Sequence, residues 1–155
     1  MNNENIKKHM NLQLQRYYSL WKDCTAMYED WSKTQGLSSN GVLVLYSFYE
    51  ENAVCTQKSI SQKWCIPKQT VNTILKDFLN KGYVEMVSLP EDKRNKLLRL
   101  TDTGKTYADK IVGSLHEKEI YIMEKMGLEN IASMNDNLEH FISLFKEGET
   151  TSHEH

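Results

Sequence analysis

The period of the apolar residues leaves the helical spacing at Gly82, and that change limits the folds open to the chain. Before Gly82 the spacing is helical: Val71, Ile74, Leu75 and Phe78 lie on one face of PKQTVNTILKDFLNK. After it come two short runs rich in β-formers, YVEMVSL and KLLRLT, separated by PEDKRN, whose Pro, Asp and Asn favour a turn. A hairpin therefore follows directly on a helix that Gly82 closes as a C-cap. Upstream, Pro67 sits where a first helical turn tolerates a missing amide hydrogen, Trp64, Cys65 and Ile66 form a turn, and Thr56 can cap a short helix over 57–63. Another helix, near 40–51 with Val42, Leu45, Tyr46 and Tyr49 as apolar positions, precedes them. Helix, helix, tight turn, helix and hairpin, in that order over 40–101, is the layout of a winged helix-turn-helix.

Longer helices frame this module. Met10, Leu14, Tyr17, Trp21, Cys24, Tyr28 and Trp31 recur at alternating steps of four and three, a heptad-like stripe on one helix. Gly36 suits its left-handed C-cap, and Ser38 or Ser39 can start the next helix. Thr101 can cap a helix running to about Met126 through Ala108, Ile111, Leu115 and Ile122. Gly127 breaks it, and a last helix carries Ile131, Met134, Leu138, Phe141 and Phe145. The expected fold is mainly α with a small β-hairpin wing (α+β). The chain reads as a single domain over 1–155, with dimerisation helices at 1–36 and 102–147, the winged helix-turn-helix at 40–101 and a disordered tail at 148–155. The long apolar stripes exceed what a winged module of about 60 residues can bury, so a second copy of the chain is the expected partner.

Charge locates a surface. The net charge is -2, yet residues 56–105 hold ten Lys plus Arg against five Asp plus Glu, or +5, and the remainder holds nine against sixteen, or -7. A basic module in an acidic frame points to a polyanion as partner. No run approaches the roughly 18 apolar residues of a membrane span and the start lacks a secretory stretch, so the expected location is cytoplasmic, with no membrane partner. Three cysteines without a CxxC pair fit a reducing compartment.

The residues TQKSISQKWCIPKQTVNTILKDFLNKGYV, followed by PEDKRNKLLRLTDTGK, resemble the MarR (multiple antibiotic resistance regulator) family of bacterial transcription factors. The first stretch looks like the positioning and recognition helices. Asp92, Arg94, Leu100, Thr101 and Gly104 match the D-x-R … L-T-x-x-G signature of the wing. Trp64 and Cys65 stand where Leu and Gly are usual, and Thr73 where Arg is frequent. The resemblance implies a homodimer whose terminal helices interlock, a pseudopalindromic double-stranded DNA operator, and regulation, commonly repression, relieved by a small amphipathic or aromatic effector.

A helix fits the major groove, where amide, hydroxyl and ammonium groups can read base edges and grip phosphates. Gln69, Asn72 and Thr73 are the candidate base readers, and Lys68, Thr70 and Lys76 the candidate phosphate contacts. Lys93 and Arg94 at the hairpin tip suit the electronegative minor groove, with Asp92 orienting the arginine. Tyr17, Trp21, Tyr28, Tyr46 and Tyr49 are candidates for the wall of an effector pocket, although helical spacing assigns each of them more readily to core packing. Cys24 is the candidate for oxidant sensing, an alternative weakened by its place on the apolar stripe, where burial suppresses thiol reactivity. A winged module serving protein contact without DNA is a further alternative. No catalytic constellation, metal-ligand spacing or cofactor fingerprint stands out, so neither an enzyme, a metal nor a cofactor is expected.

Overall fold

Many helix ends in this protein fall where a glycine or a short hydroxyl side chain can satisfy the orphan end groups. The computed structural model describes residues 3–49, 54–87 and 97–151. Helix α1 (Asn3–Thr34) starts earlier than its apolar stripe and ends in a Schellman motif: Gly36 has φ +73°, and the Gly36 and Leu37 amides bond the carbonyls of Lys33 and Ser32. The Ser38 hydroxyl accepts the Gly41 amide at 3.1 Å and so starts α2 (Ser39–Tyr49). Thr56 and Ser59 form a reciprocal capping box at the start of α3 (Gln57–Trp64). Helix α4 (Lys68–Asn80) closes at Gly82, φ +70°, with the Gly82 and Tyr83 amides bonded to Leu79 and Phe78.

Strands β1 (Val84–Val87) and β2 (Leu97–Leu100) pair antiparallel, with Val84 opposite Leu100 and Val87 opposite Leu97. Cys55 extends this sheet by one residue: its amide and carbonyl bond the carbonyl and amide of Leu98 at 2.9 and 2.8 Å. The core gathers Val42, Val44, Leu45 and Phe48 of α2, Ile60 of α3, Val71, Leu75 and Phe78 of α4, and Val84, Leu98 and Leu100 of the hairpin. Among the described residues no buried side-chain nitrogen or oxygen lacks a hydrogen-bond partner.

Thr101 caps α5 (Asp102–Ala108) by accepting the Gly104 amide at 3.0 Å, and its hydroxyl donates to the Gly82 carbonyl at 2.6 Å. The segment Asp109–Gly113 is π-helical, which the apolar spacing of Ala108, Ile111 and Leu115 does not reveal. Two compact units divide there, Met1–Val112 and Gly113–His155. The second unit contains α6 (Ser114–Met126) and α7 (Leu128–Thr151), separated by Gly127 at φ +82°. Helix α7 runs through Thr151, into the stretch expected to be a tail from residue 148, because nothing in GETT terminates a helix as Pro would. Residues 152–155 lie outside the described part. Among the described residues no helix is long and apolar enough to cross a membrane.

Two sequence expectations about burial do not hold within the chain. The α1 stripe is not a core: Met10, Leu14, Tyr17, Trp21, Cys24 and Tyr28 are exposed. Tyr49 is also exposed, while Val44, Ser47 and Phe48 occupy the buried side of α2. On α7, Ile131 is buried, while Met134, Leu138, Phe141 and Phe145 are exposed.

Gly104 has the tightest backbone requirement: a Cβ built there would lie 1.8 Å from the Tyr83 carbonyl oxygen, which also accepts the Thr101 amide at 3.0 Å. Gly104→Ala therefore displaces α5 from the start of β1. The expected cost is roughly 1–3 kcal/mol or more in urea unfolding, as for other overpacked sites; an unchanged midpoint would show that this approach is not a constraint.

Candidate nucleic-acid interface

The apolar face of α4 determines what its other face presents. Val71, Leu75 and Phe78 are buried against the core, which leaves Lys68, Gln69, Thr73 and Lys76 exposed and Thr70 and Asn72 half-buried. All six expected contact residues on this helix are thus brought to one element, within its first three turns. Thr73 spends its hydroxyl proton on the Gln69 carbonyl at 3.0 Å, so its oxygen is left to accept. Pro67 is the N-cap with no side-chain cap bond, and Gln57 of α3 donates Nε2 to the Lys68 carbonyl at 2.8 Å, tying the start of α4 to the preceding helix.

One acidic residue shares this helix. Asp77 is exposed, and Lys81 reaches it at 2.8 Å from one turn further on. That hydrogen bond holds the Lys81 ammonium above the ordinary lysine range, outweighing the opposing effect of burial. The pair neutralises itself, leaving Lys68 and Lys76 as the helix's net positive charges.

The connection between α3 and α4 departs from the usual pattern in a way that its backbone explains. Cys65 has φ 52° and ψ 33°, the left-handed region that favours glycine, and it is exposed. Ser61 closes this turn from both sides, receiving the Ile66 amide on its carbonyl at 3.1 Å and donating its hydroxyl to the Ile66 carbonyl at 2.7 Å. Trp64 lies edge-on to Tyr46 at 5.8 Å and donates its indole N–H to the Ser47 hydroxyl at 2.7 Å. It therefore locks α3 to α2 where a leucine is usual. Ser61, Gln57 and Ser47 carry no motif signal and were not expected from the sequence to matter.

The hairpin carries the Glu85–Arg99 pair, directly opposite in register and 2.7 Å apart. Lys93, Arg94 and Asp92 lie outside the described residues. Of the five aromatic residues considered for an effector pocket, Tyr46 and Tyr49 approach within 6.5 Å on α2. Trp21 is 66% exposed, a surface position on α1 within this chain. Cys24 is exposed as well, contrary to the burial expected of it. Among the described residues no group of three His, Cys, Asp or Glu is placed to hold a metal ion.

Comparison with known proteins agrees with this geometry. The MarR family model matches residues 35–95, from just after α1 through α4 and β1, and ends before β2. An uncharacterized HTH-type transcriptional regulator, YdgJ, of Bacillus subtilis (strain 168) is 32% identical over 91 residues, 59% of this chain and 53% of that protein. The match thus spans about half the length of that relative. NMB1585, a MarR family regulator from Neisseria meningitidis, superposes with a TM-score of 0.76 at 27% identity, over 90% of this chain and 98% of that one. Overoxidized AbfR bound to DNA shares the fold, with a TM-score of 0.61 at 20% identity over 93% of this chain and 99% of that one.

A left-handed residue with a Cβ costs about 1–2 kcal/mol, and glycine's extra chain entropy offsets part of the gain on replacing it. Cys65→Gly is therefore expected to stabilise the protein by roughly 0.5–1 kcal/mol, read as a higher thermal midpoint. A lower midpoint would mean that the Cys65 side chain makes a contact worth more than this strain.

Proposed function

We infer from the MarR family match over residues 35–95 and the fold shared with MarR family regulators that this chain is a member of that family, and from that premise we propose that it is a homodimeric, sequence-specific regulator of transcription that binds double-stranded DNA. The observation that carries this reading is α4: a helix with Val71, Leu75 and Phe78 buried, and with Lys68, Gln69, Thr73 and Lys76 presented outward beside a paired hairpin. Such a helix reads the major groove with Gln69, Asn72 and Thr73 while Lys68, Thr70 and Lys76 take phosphates. Lys93 and Arg94 of the wing enter the minor groove on the strength of their sequence motif, with Asp92 orienting the arginine. The neighbour AbfR, crystallised with DNA, supports the same partner.

The second copy covers the apolar faces that the chain leaves open. Trp21 of α1, with Tyr121 of α6 and Leu128 and Phe145 of α7, are among many large apolar side chains more than half exposed, far beyond the single exposed residues normal for a monomer. Two-fold pairing places two copies of α4 on successive major-groove faces of a pseudopalindromic operator. Repression and its relief by a small amphipathic or aromatic effector belong to the same reading. The aromatic side chains Tyr17, Trp21, Tyr28, Tyr46 and Tyr49 supply the chemistry for such a ligand, within the assembled dimer.

A titration of a duplex from upstream of the protein's own gene, followed by fluorescence anisotropy, tests this. Affinity is expected to fall with salt by about 0.9 log units per neutralised phosphate for each decade. Arg94→Ala weakens specific and non-specific binding alike, whereas Asn72→Ala lowers discrimination by about 1–3 kcal/mol. Light scattering on the same sample is expected to give the mass of two chains. Salt-independent binding, or a monomer mass at micromolar concentration, would contradict the reading.

A second reading has two observations in its favour: Cys24 is exposed on α1, and the fold of this chain is shared by an overoxidized AbfR. In this reading peroxide abolishes operator binding by the wild type and leaves Cys24→Ser unaffected. Equal binding by both proteins after peroxide treatment removes it.

A further inference from the structure

The two elements that the foregoing reading brings to DNA are tied to the same buried residue of α2. Helices α3 and α4 form one rigid piece, because Ser61 closes the turn between them and Gln57 holds the Lys68 carbonyl. That piece is joined to α2 by the bond from Trp64 Nε1 to Ser47 Oγ, 2.7 Å long. Ser47 is 4% exposed, and its own hydroxyl proton goes to the Leu43 carbonyl at 3.1 Å. Its oxygen is thereby oriented to accept the indole. The Ser47 carbonyl in turn receives the Cys55 thiol at 3.1 Å, and Cys55 pairs through both backbone groups with Leu98 of β2.

We propose that Ser47 is a positioning residue that holds α4 and the wing strand β2 at one fixed spacing, through Trp64 on one side and Cys55 on the other. This deepens the DNA-binding reading above and rests on it. Apolar burial holds these elements together but is non-directional, whereas a hydrogen bond fixes distance and angle. The indole N–H is a donor only, so without the Ser47 oxygen it is left unsatisfied in a part-buried site and the ring is free to shift. Base edges are read by short, aligned bonds, while phosphate contacts set register without carrying sequence information. Displacement of α4 relative to the wing therefore costs discrimination before it costs overall affinity.

The test compares Ser47→Ala, Trp64→Phe and the double variant on two probes, a duplex from upstream of the protein's own gene and a shuffled duplex of equal length. Each single variant is expected to lower the ratio of the two affinities by roughly three- to tenfold, with binding to the shuffled duplex little changed. Both substitutions remove the same bond, so the double variant is expected to be no worse than the worse single one. An unchanged ratio in both single variants would overturn the proposal, and so would multiplicative losses in the double variant or equal losses on both probes. Hydrogen exchange gives a readout free of DNA. Ser47→Ala should speed exchange at the Trp64 indole, and Cys55→Ala, which removes the thiol that bonds the Ser47 carbonyl, should speed exchange at the Leu98 amide; unchanged rates at both would also overturn the proposal. If the wild type binds neither duplex, the DNA-binding reading fails by itself, and exchange alone decides whether Ser47 ties the two elements.

Discussion

The peptide group of Tyr83 is the point on which the winged module turns. Its N–H closes α4 by bonding the Phe78 carbonyl, and its carbonyl receives the Thr101 amide that starts α5. Its ring stacks on Tyr107 at 4.1 Å and meets Phe78 edge-on at 6.3 Å. Helix α4, the hairpin and the helix after the hairpin are therefore placed by one residue's backbone and ring. The approach is so close that only glycine fits at position 104. The L-T-x-x-G run gains a physical meaning from this: Leu100 fills the core, Thr101 caps α5 while bonding the Gly82 carbonyl, and Gly104 makes room for the Tyr83 carbonyl.

What the sequence disclosed and what it withheld divide along physical lines. Gly36, Gly82, Thr56 and Thr101 act locally, each through one cap that can be read from its neighbours, and all four mark boundaries where expected. The apolar face of α4 was equally legible: period selects Val71, Ile74, Leu75 and Phe78, all buried except the half-buried Ile74. Burial on α1 was not. A heptad stripe states that a face is apolar but not whether its cover comes from the same chain, and here Trp21 and Cys24 remain exposed within it. The π-helical segment at Asp109–Gly113 was hidden because Ala108, Ile111 and Leu115 suit either winding. Long-range polar links such as Trp64 to Ser47, seventeen residues apart, leave no periodic trace at all.

For the candidate interface, legibility followed the same division. The six α4 residues share a helix and so could be grouped from spacing, and the structure places them on its outer side and flank. Their electrostatic setting needed the fold: Lys81, counted as part of a basic excess, is committed to Asp77 and adds no free charge to the surface. Cys65 shows the converse. Its departure from the usual glycine is visible in the sequence, but only its left-handed backbone shows that the departure carries strain.

The central claim is that α4 enters the major groove twice, once from each of two copies. Dimethyl sulfate footprinting on a duplex from upstream of the protein's own gene tests it directly, because the reagent methylates guanine N7 in that groove. The account requires two protected patches whose centres lie about 10–10.5 base pairs, or a multiple of that, apart. Bound protein that leaves every guanine N7 open to the reagent, or that protects a single patch, would contradict it.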